Sequence, residues 1–419
     1  MNHWIEKIQT VQWELDRLPV TYLQRKGFKG WKAYLTCSYG SMIRQIQKQN
    51  QALLLPDGSA HFLEHRLFDI EGTDASTLFS KLGAEANAYT SRRVMGFYFS
   101  TINHPIEALQ ILNDLVLNIR TFNPKAIETE KKIIESEMMM YEDDPFSKGY
   151  QRLLEQLFWV HPVRINIVGS TISIALINQK LLESIHKTFF TPHRCKLFVC
   201  GPEDPSKFQL DCEKKLVCAK WNHAELPLVD VCYLEPFEVK KPFDQFSMPI
   251  TKDLLFMGFK TKKNSLSLRD SLIGEMIGHI LFGSISPFYD LLYSKELIDD
   301  SFYFSYDWDK DFGVLVLAGY TPDSSNLRKK IEKEIRSKTV TGISKEEFEI
   351  IKNYFIGSTY TMIDKPSDLM MHLTNLAWFN NQTWDDYIHE IKKLEVEDIN
   401  RELKIFLDLD FSAVTLIHP

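Results

Sequence analysis

The stretch Ala60-His61-Phe62-Leu63-Glu64-His65-Arg66-Leu67-Phe68 sets two histidines and a glutamate in a short, mostly apolar run, and its reading decides the rest of the chain. Successive residues of a helix advance by about 100°, so positions 61, 64, 65 and 68 stack on one face. His61 and His65 can then clamp one ion. Neutral imidazoles four residues apart, with an acid beside them, are the arrangement of helix-borne zinc-protease sites, in which the glutamate is a base rather than a ligand. Here Glu64 precedes the second histidine, so H-x-x-E-H reverses the usual order. In a chain with 12 histidines the same residues also fit a bland reading, a helix whose polar edge happens to hold them. A further ligand from elsewhere separates the two.

The segment Pro124–Tyr141 offers that ligand. On a helical wheel with Glu137 at zero, Ile127, Glu130, Ile133, Ile134, Met138 and Tyr141 fall within roughly a third of the circle, whereas Glu128, Lys131, Lys132 and Glu135 lie on the far side. Two carboxylates thus stand in an apolar stripe. A buried ionised carboxylate without a partner is strongly disfavoured, so both must meet cations or strong donors. A zinc ion held by the two histidines is one such partner; arginines across the core are the other.

Composition sets the bounds. With 419 residues the chain exceeds one ordinary core, and 44% hydrophobic with 25% charged residues is the balance of a globular protein. A net charge of -7, with basic residues spread along the chain, leaves no electrostatic footprint for nucleic acid. The opening residues lack the pattern of a secretory signal, and the longest apolar run, Ile165–Ile177, is too short and polar for a transmembrane segment. Six cysteines without a C-x-x-C pair argue against a disulfide framework or a thiolate zinc site, so a cytoplasmic protein with reduced thiols is expected. No G-x-S-x-G elbow, Walker loop or G-x-G-x-x-G fingerprint occurs, which leaves serine hydrolysis and nucleotide chemistry without support.

The order of elements repeats. Strands are expected at 19–24 and 32–39, a helix at 58–68, a hairpin of 85–91 with 96–102, helices at 106–119 and 124–141, and a strand at 195–200. The pattern weakens between Asp211 and Pro249, where prolines cluster. Beyond it come a strand at 253–260, a helix at 269–283, a hairpin of 301–308 with 313–320, three or four helices and a last strand at 411–417. The expected division is an N-terminal catalytic half at 1–212, a linker at 213–248 and a non-catalytic half at 249–419. Aligned on Leu-Phe, the second half has Glu275, Gly278 and His279 where the first has His61, Glu64 and His65, so a single metal site belongs to the first half.

The segments GSAHFLEHRLF (58–68), GAEANAYTS (83–91), EKKIIESEMMMYEDDP (130–145) and HPVRINIVGS (161–170) resemble the successive motifs of the pitrilysin or inverzincin metallopeptidases, the group of insulin-degrading enzyme and the mitochondrial processing peptidase. The likeness is greatest to the short bacterial members. The resemblance implies an α+β fold of two similar halves, each a mainly antiparallel sheet packed on helices, pairing with a second subunit to enclose a chamber. It implies one Zn2+ per chain bound by His61, His65 and Glu137, with Glu64 as base and Glu130 in a supporting role. It also places an extended peptide as an added strand along Ala86, Asn87, Ala88, Tyr89 and Thr90. The implied activity is a zinc-dependent endopeptidase acting on unfolded peptides, in turnover or in maturation such as leader removal from a bacteriocin-like peptide.

One departure bears on self-sufficiency. Family members carry an arginine and a tyrosine in the second half near L-R-x-x-x-G-L-x-Y, whereas this chain reads LLYSKELIDDSFY from Leu291, with Tyr293, Asp299 and Asp300 near those positions and no arginine. A homologous partner subunit lacking the zinc motif is therefore expected to supply the pair in a heterodimer, a homodimer being the other arrangement. The reading from a different class is a non-catalytic peptide-binding or assembly subunit. Against it, degenerate relatives lose the histidines or the acid, and this chain keeps all of them. His104, His161, His193, His279 and His372 are scattered and read as satisfied surface or core histidines; Glu142–Asp144 reads as a helix end, the family likeness implying a fixed turn beside the site, and Arg92 and Arg93 read as solvated, with steering of acidic peptide residues the alternative.

Overall fold

The computed structural model describes residues 10–48, 51–70, 72–223 and 233–419. Part of the expected linker, 224–232, lies outside these residues. The chain forms two compact units, neither of them continuous: one comprises 1–139, 166–231 and 362–381, the other 140–165, 232–361 and 382–419.

The first unit is built on β1 (Thr10–Leu15), β2 (Leu18–Gln24), β3 (Trp31–Cys37), β4 (Glu85–Thr90), β5 (Met95–Thr101) and β6 (Cys195–Gly201). They form one sheet in the order β1-β2-β6-β3-β5-β4. Only the pairing of β6 with β2 is parallel. In β3, the run Ala33 to Cys37 is wholly buried, as expected of a strand covered on both faces. Three helices share this unit's core: α1 (Ser59–Leu67), α3 (Pro105–Leu117) and α4 (Pro124–Asp143), with α2 (Ala75–Lys81) between the first two in sequence. Phe62, Leu63, Phe97, Phe99, Leu112 and Ile134 join one buried core.

The second unit repeats the scheme. Its strands β7 (Phe243–Ser247), β8 (Asp253–Lys260), β9 (Tyr303–Asp309), β10 (Phe312–Thr321) and β11 (Ser412–His418) run in the order β7-β11-β8-β10-β9. That order matches β2-β6-β3-β5-β4 strand for strand, and the one parallel pair, β7 with β11, corresponds to β2 with β6 but lies at the sheet edge, because this sheet has no counterpart of β1. The two mainly antiparallel α+β halves expected from sequence are therefore present. Three details differ. β1 was not anticipated, and β7 lies inside the segment expected to be linker; both are edge strands with half or more of their side chains in solvent, so their periodicity carries little apolar signal. Five helices rather than three or four lie between β10 and β11.

Each sheet is also covered by a helix from the opposite half of the sequence. Helix α5 (Pro145–Leu157) packs on β8 and β11, with Leu153, Leu154 and Leu157 buried and Gln156 Nε2 donating to Val414 O at 3.1 Å. Its N-cap is Asp144, which accepts from Ser147 N at 2.8 Å, so the acidic run at 142–144 is a helix junction. Reciprocally, α7 (Pro366–Trp378) packs on β3 and β6, where Trp378 Nε1 donates to Thr36 Oγ1 at 2.9 Å and Lys196 Nζ to Ala377 O at 2.6 Å.

The counterpart of α1 is α6 (Leu268–Phe282), which bears Glu275, Gly278 and His279. His279 lies among the rings of Phe304, Tyr354 and Phe355, with centroids 4.7, 5.1 and 5.3 Å away, and burial lowers its pKa. Burial also pushes the Glu275 carboxyl up to about 7, against the opposing hydrogen bond from Trp308.

Two predictions come from these packings. A Cβ on Gly149 of α5 would meet the ring of fully buried Phe256 at 2.2 Å, so Gly149→Val should cost about 1–3 kcal/mol. Differential scanning calorimetry should show a lowered Tm; an unchanged one would mean the helix can retreat from β8. For Glu275 the unfolded carboxyl loses its proton near about pH 4.3, before the folded one near about 7. Stability therefore falls as pH rises through that window. Urea unfolding at about pH 4 and about pH 8 should show Glu275→Gln gaining on the native chain mainly at the higher pH; an equal shift at both rejects the assignment.

Candidate metal centre

The site grows from the start of α1. Gly58 precedes the helix with φ of 84°, and Gly169 faces it with φ of 81°. A Cβ on Gly58 would meet Val168 O at 2.5 Å, and one on Gly169 would meet Asp57 O at 2.5 Å, so two left-handed glycines let the backbones touch. At the other end Arg120 donates from one guanidinium nitrogen to Leu67 O at 3.0 Å and Asp69 O at 2.8 Å, satisfying carbonyls that the helix end leaves open. Helix α1 is thus pinned at both ends.

His61 and His65 project from one face with ring centroids 4.6 Å apart. Across from them Glu137 of α4 places Oε1 3.5 Å from His61 Nε2 and Oε2 3.8 Å from His65 Nε2. One ligand atom from each of these three lies within 4.8 Å of the others, the only such metal-capable group among the described residues. The donor set fits zinc: bonds of about 2.1 Å in a tetrahedron place ligand atoms about 3.4 Å apart, and the two carboxylate–imidazole separations are already close to that. The electrostatics agree. Burial first, and then the neighbouring His65, lower the His61 pKa to about 4, which keeps the ring neutral and its nitrogen lone pair available.

Glu130 explains the orientation of His65. Its Oε1 lies 3.0 Å from His65 Nδ1, and its Oε2 accepts from Arg66 Nη1 at 2.9 Å. Burial would raise this carboxyl, but the bonds from His65 and Arg66 outweigh it and hold its pKa below the usual value. Facing an ionised carboxylate, Nδ1 carries the proton and donates, so Nε2 is left with its lone pair free on the side of Glu137. At His65 burial acts downward, and the Glu130 hydrogen bond with the surrounding carboxylates overturns it, so the net shift is upward. Of the two partners considered from sequence, Glu130 meets an arginine, Arg66, and its second partner is the imidazole of His65 rather than an ion. His61 Nδ1, by contrast, is buried without a hydrogen-bond partner among the described residues.

Glu64 lies between the histidines in sequence and accepts from Thr90 Oγ1 at 2.6 Å. Burial raises its pKa, partly offset by that bond. Thr90 ends β4, the strand at the open edge of the sheet. Of the other expected β4 residues, Ala86 and Asn87 line an open cleft of about 600 Å³ together with Glu64, His65, Asp69 and Glu130. Asn87 Oδ1 accepts from Ala88 N at 2.8 Å. Tyr89 is different: its ring covers Gly96, its cross-strand partner, where a Cβ would stand 2.3 Å from it. Only its backbone belongs to the edge.

Sequence reasoning missed Arg66. Its position beside His65 was visible, but a lone arginine on a helix reads as solvated, and only its 8% exposure shows otherwise. On α4, Ile127, Glu130 and Ile134 are buried as the wheel predicts, whereas Ile133 and Tyr141, placed in the same stripe, are 50% and 41% exposed. The apolar stripe is narrower than the wheel suggests. Arg92 and Arg93, read as solvated, are half-buried.

Comparison with known proteins gives the family. The pattern of the insulinase family (Peptidase family M16) matches residues 56–170, and that of the Peptidase M16 inactive domain matches 177–355. The uncharacterized zinc protease YmfH of Bacillus subtilis is 30% identical over 414 residues, covering 96% of this chain and 94% of its own. The putative zinc protease AlbF of the same organism is 27% identical over 252 residues, covering 60% of this chain and 59% of its own. Among solved structures, a putative M16-like peptidase from Alicyclobacillus acidocaldarius has a TM-score of 0.93 at 26% identity, covering 99% of each chain. Pitrilysin shares the fold, with a TM-score of 0.73 at 16% identity over 99% of this chain and 45% of its own. This chain belongs to the M16 family of peptidases.

If the trio holds zinc, Glu137→Gln should weaken binding by at least about tenfold, the size of effect seen even for residues that only support a ligand. Chelator competition with the purified chain measures this; unchanged affinity removes Glu137 from the ligand set.

Proposed function

We propose that this chain is a zinc-dependent endopeptidase for extended, unfolded peptides, with His61, His65 and Glu137 as the ligands of one Zn2+. The convergence of those three ligand atoms within 4.8 Å, beside a free sheet edge, carries the reading. A zinc ion held there supplies Lewis acidity, polarising a carbonyl oxygen and bringing the pKa of water toward neutrality.

The chain's own residues supply the rest. Glu64 is the general base: it takes a proton from the attacking water and passes it to the leaving amine nitrogen. Its hydrogen bond to Thr90 fixes the carboxylate at the end of the edge strand. A peptide adding to Ala86–Thr90 is gripped through its backbone, which makes demands on shape and extension more than on side chains. Glu130 holds His65 in the tautomer that presents Nε2. Peptide maturation, for example leader removal from a bacteriocin-like peptide, is one use of such a site, and a cytoplasmic setting suits thiols that are all free among the described cysteines.

The second half is read as non-catalytic. Tyr293 stacks on Tyr289 and its hydroxyl lies 3.4 Å from Asp300, with no arginine between Pro287 and Tyr303. A homologous partner contributing an arginine and a tyrosine, and closing a chamber around the peptide, completes the proposed enzyme; a homodimer is the simpler form.

The test is cleavage of an unstructured peptide library by the zinc-loaded chain, read by mass spectrometry with and without a chelator. Glu64→Gln should keep zinc and lose at least about 100-fold in rate, in line with a lost general base. Wild-type behaviour of that variant in every assay would favour a non-catalytic peptide-binding or assembly subunit. Zinc bound but no products from the unaltered chain would point to the partner.

A further inference from the structure

Arg66 follows the second histidine directly and is 8% exposed. Burying a guanidinium is costly unless its donors are met. Here two carboxylates meet its terminal nitrogens, Glu130 Oε2 at 2.9 Å from Nη1 and Asp69 in a closer contact with Nη2, while Nε has no partner among the described residues. Glu130 spends its other oxygen on His65 Nδ1. One carboxylate is therefore bonded at both ends, by an imidazole and by the arginine one residue later on the same helix.

That doubling constrains geometry. A carboxylate held by a single hydrogen bond can pivot about it, and the imidazole can follow. Held through both oxygens by donors of fixed origin, its plane is set, and the direction of the bond to Nδ1 is set with it. The other carboxylate, Asp69, accepts from Gly72 N at 2.8 Å and lines the cleft, but it has no bond to His65. The two contacts of Arg66 thus separate into one that reaches the trio and one that does not.

Building on the zinc reading above, we propose that Arg66 is a positioning residue for zinc, aligning His65 through Glu130. A merely structural role, neutralising buried acids, would appear in stability and leave metal affinity alone.

The experiment is a set of zinc dissociation constants by chelator competition. The chains are the unaltered protein, Arg66→Met, Glu130→Gln, the double variant and Asp69→Asn, with circular dichroism as the check of fold. Arg66→Met should weaken zinc binding about 10–100-fold, the range for residues that orient a ligand. The double variant should lose no more than Glu130→Gln alone, since one path cannot be cut twice. Asp69→Asn should stay within about twofold of the unaltered chain, because its contact does not reach His65. Cobalt in place of zinc should show shifted visible bands in Arg66→Met. Arg66→Lys, which keeps the charge and one donor, should recover most of the affinity. Unchanged affinity in Arg66→Met, multiplied losses in the double variant, or an equal loss in Asp69→Asn would each overturn the proposal. Should Arg66→Met not fold, Arg66→Gln takes its place, paired with Glu130→Gln and judged by the same non-additivity. An unaltered chain that binds no zinc overturns the zinc reading and this inference together; one that binds it normally while the variants do too overturns this inference alone.

Discussion

A carboxylate set into the apolar face of a helix has to be met by positive charge or by strong donors, and much of the first unit is arranged around meeting that demand twice on α4. Glu130 is met by a histidine and an arginine from α1. Glu137 faces His61 and His65 at 3.5 and 3.8 Å, which is where the zinc of the proposed enzyme would bind. Both needs are answered by the same short helix. The glycine contact at 58 and 169 and the Arg120 clamp at its far end have a common effect, which is to fix α1 so that its side chains reach α4 in one register.

The duplicated topology sharpens the point. The second unit repeats the order of five of the strands and has an equivalent helix, but α6 bears His279 among aromatic rings and shows no matching trio among the described residues. One copy of the scaffold is stocked with donors and the other with Phe304, Tyr306 and Tyr354. The architecture is shared, and the chemistry resides in a handful of side chains that the architecture holds still.

Much of this was legible in the sequence where local periodicity and burial pull the same way. Helix α1, helix α4 and the β4–β5 hairpin were each placed within a residue or two, because an apolar stripe or an alternating run marks them and their polar exceptions form one pattern. Edge strands β1 and β7 were not legible, since a strand paired on one side and wet on most of its length has no strong alternation. Arg66 was not legible either: its burial depends on Glu130 and Asp69, one of them distant in sequence. The interchange of α5 and α7 is a property of long-range packing, and no window of sequence reports it.

That interchange has a consequence for how the chain is made. The strands of the first sheet are complete once residue 201 has been synthesised, but the helix that covers Thr36 and Lys196 ends at Trp378. On the ribosome, the face formed by β3 and β6 must wait uncovered while well over a hundred further residues emerge, although domains usually close as they leave the tunnel. The nascent first unit then keeps an open flank from the completion of β6 until α7 emerges, and Lys32 and Lys196 keep that flank partly polar in the interval.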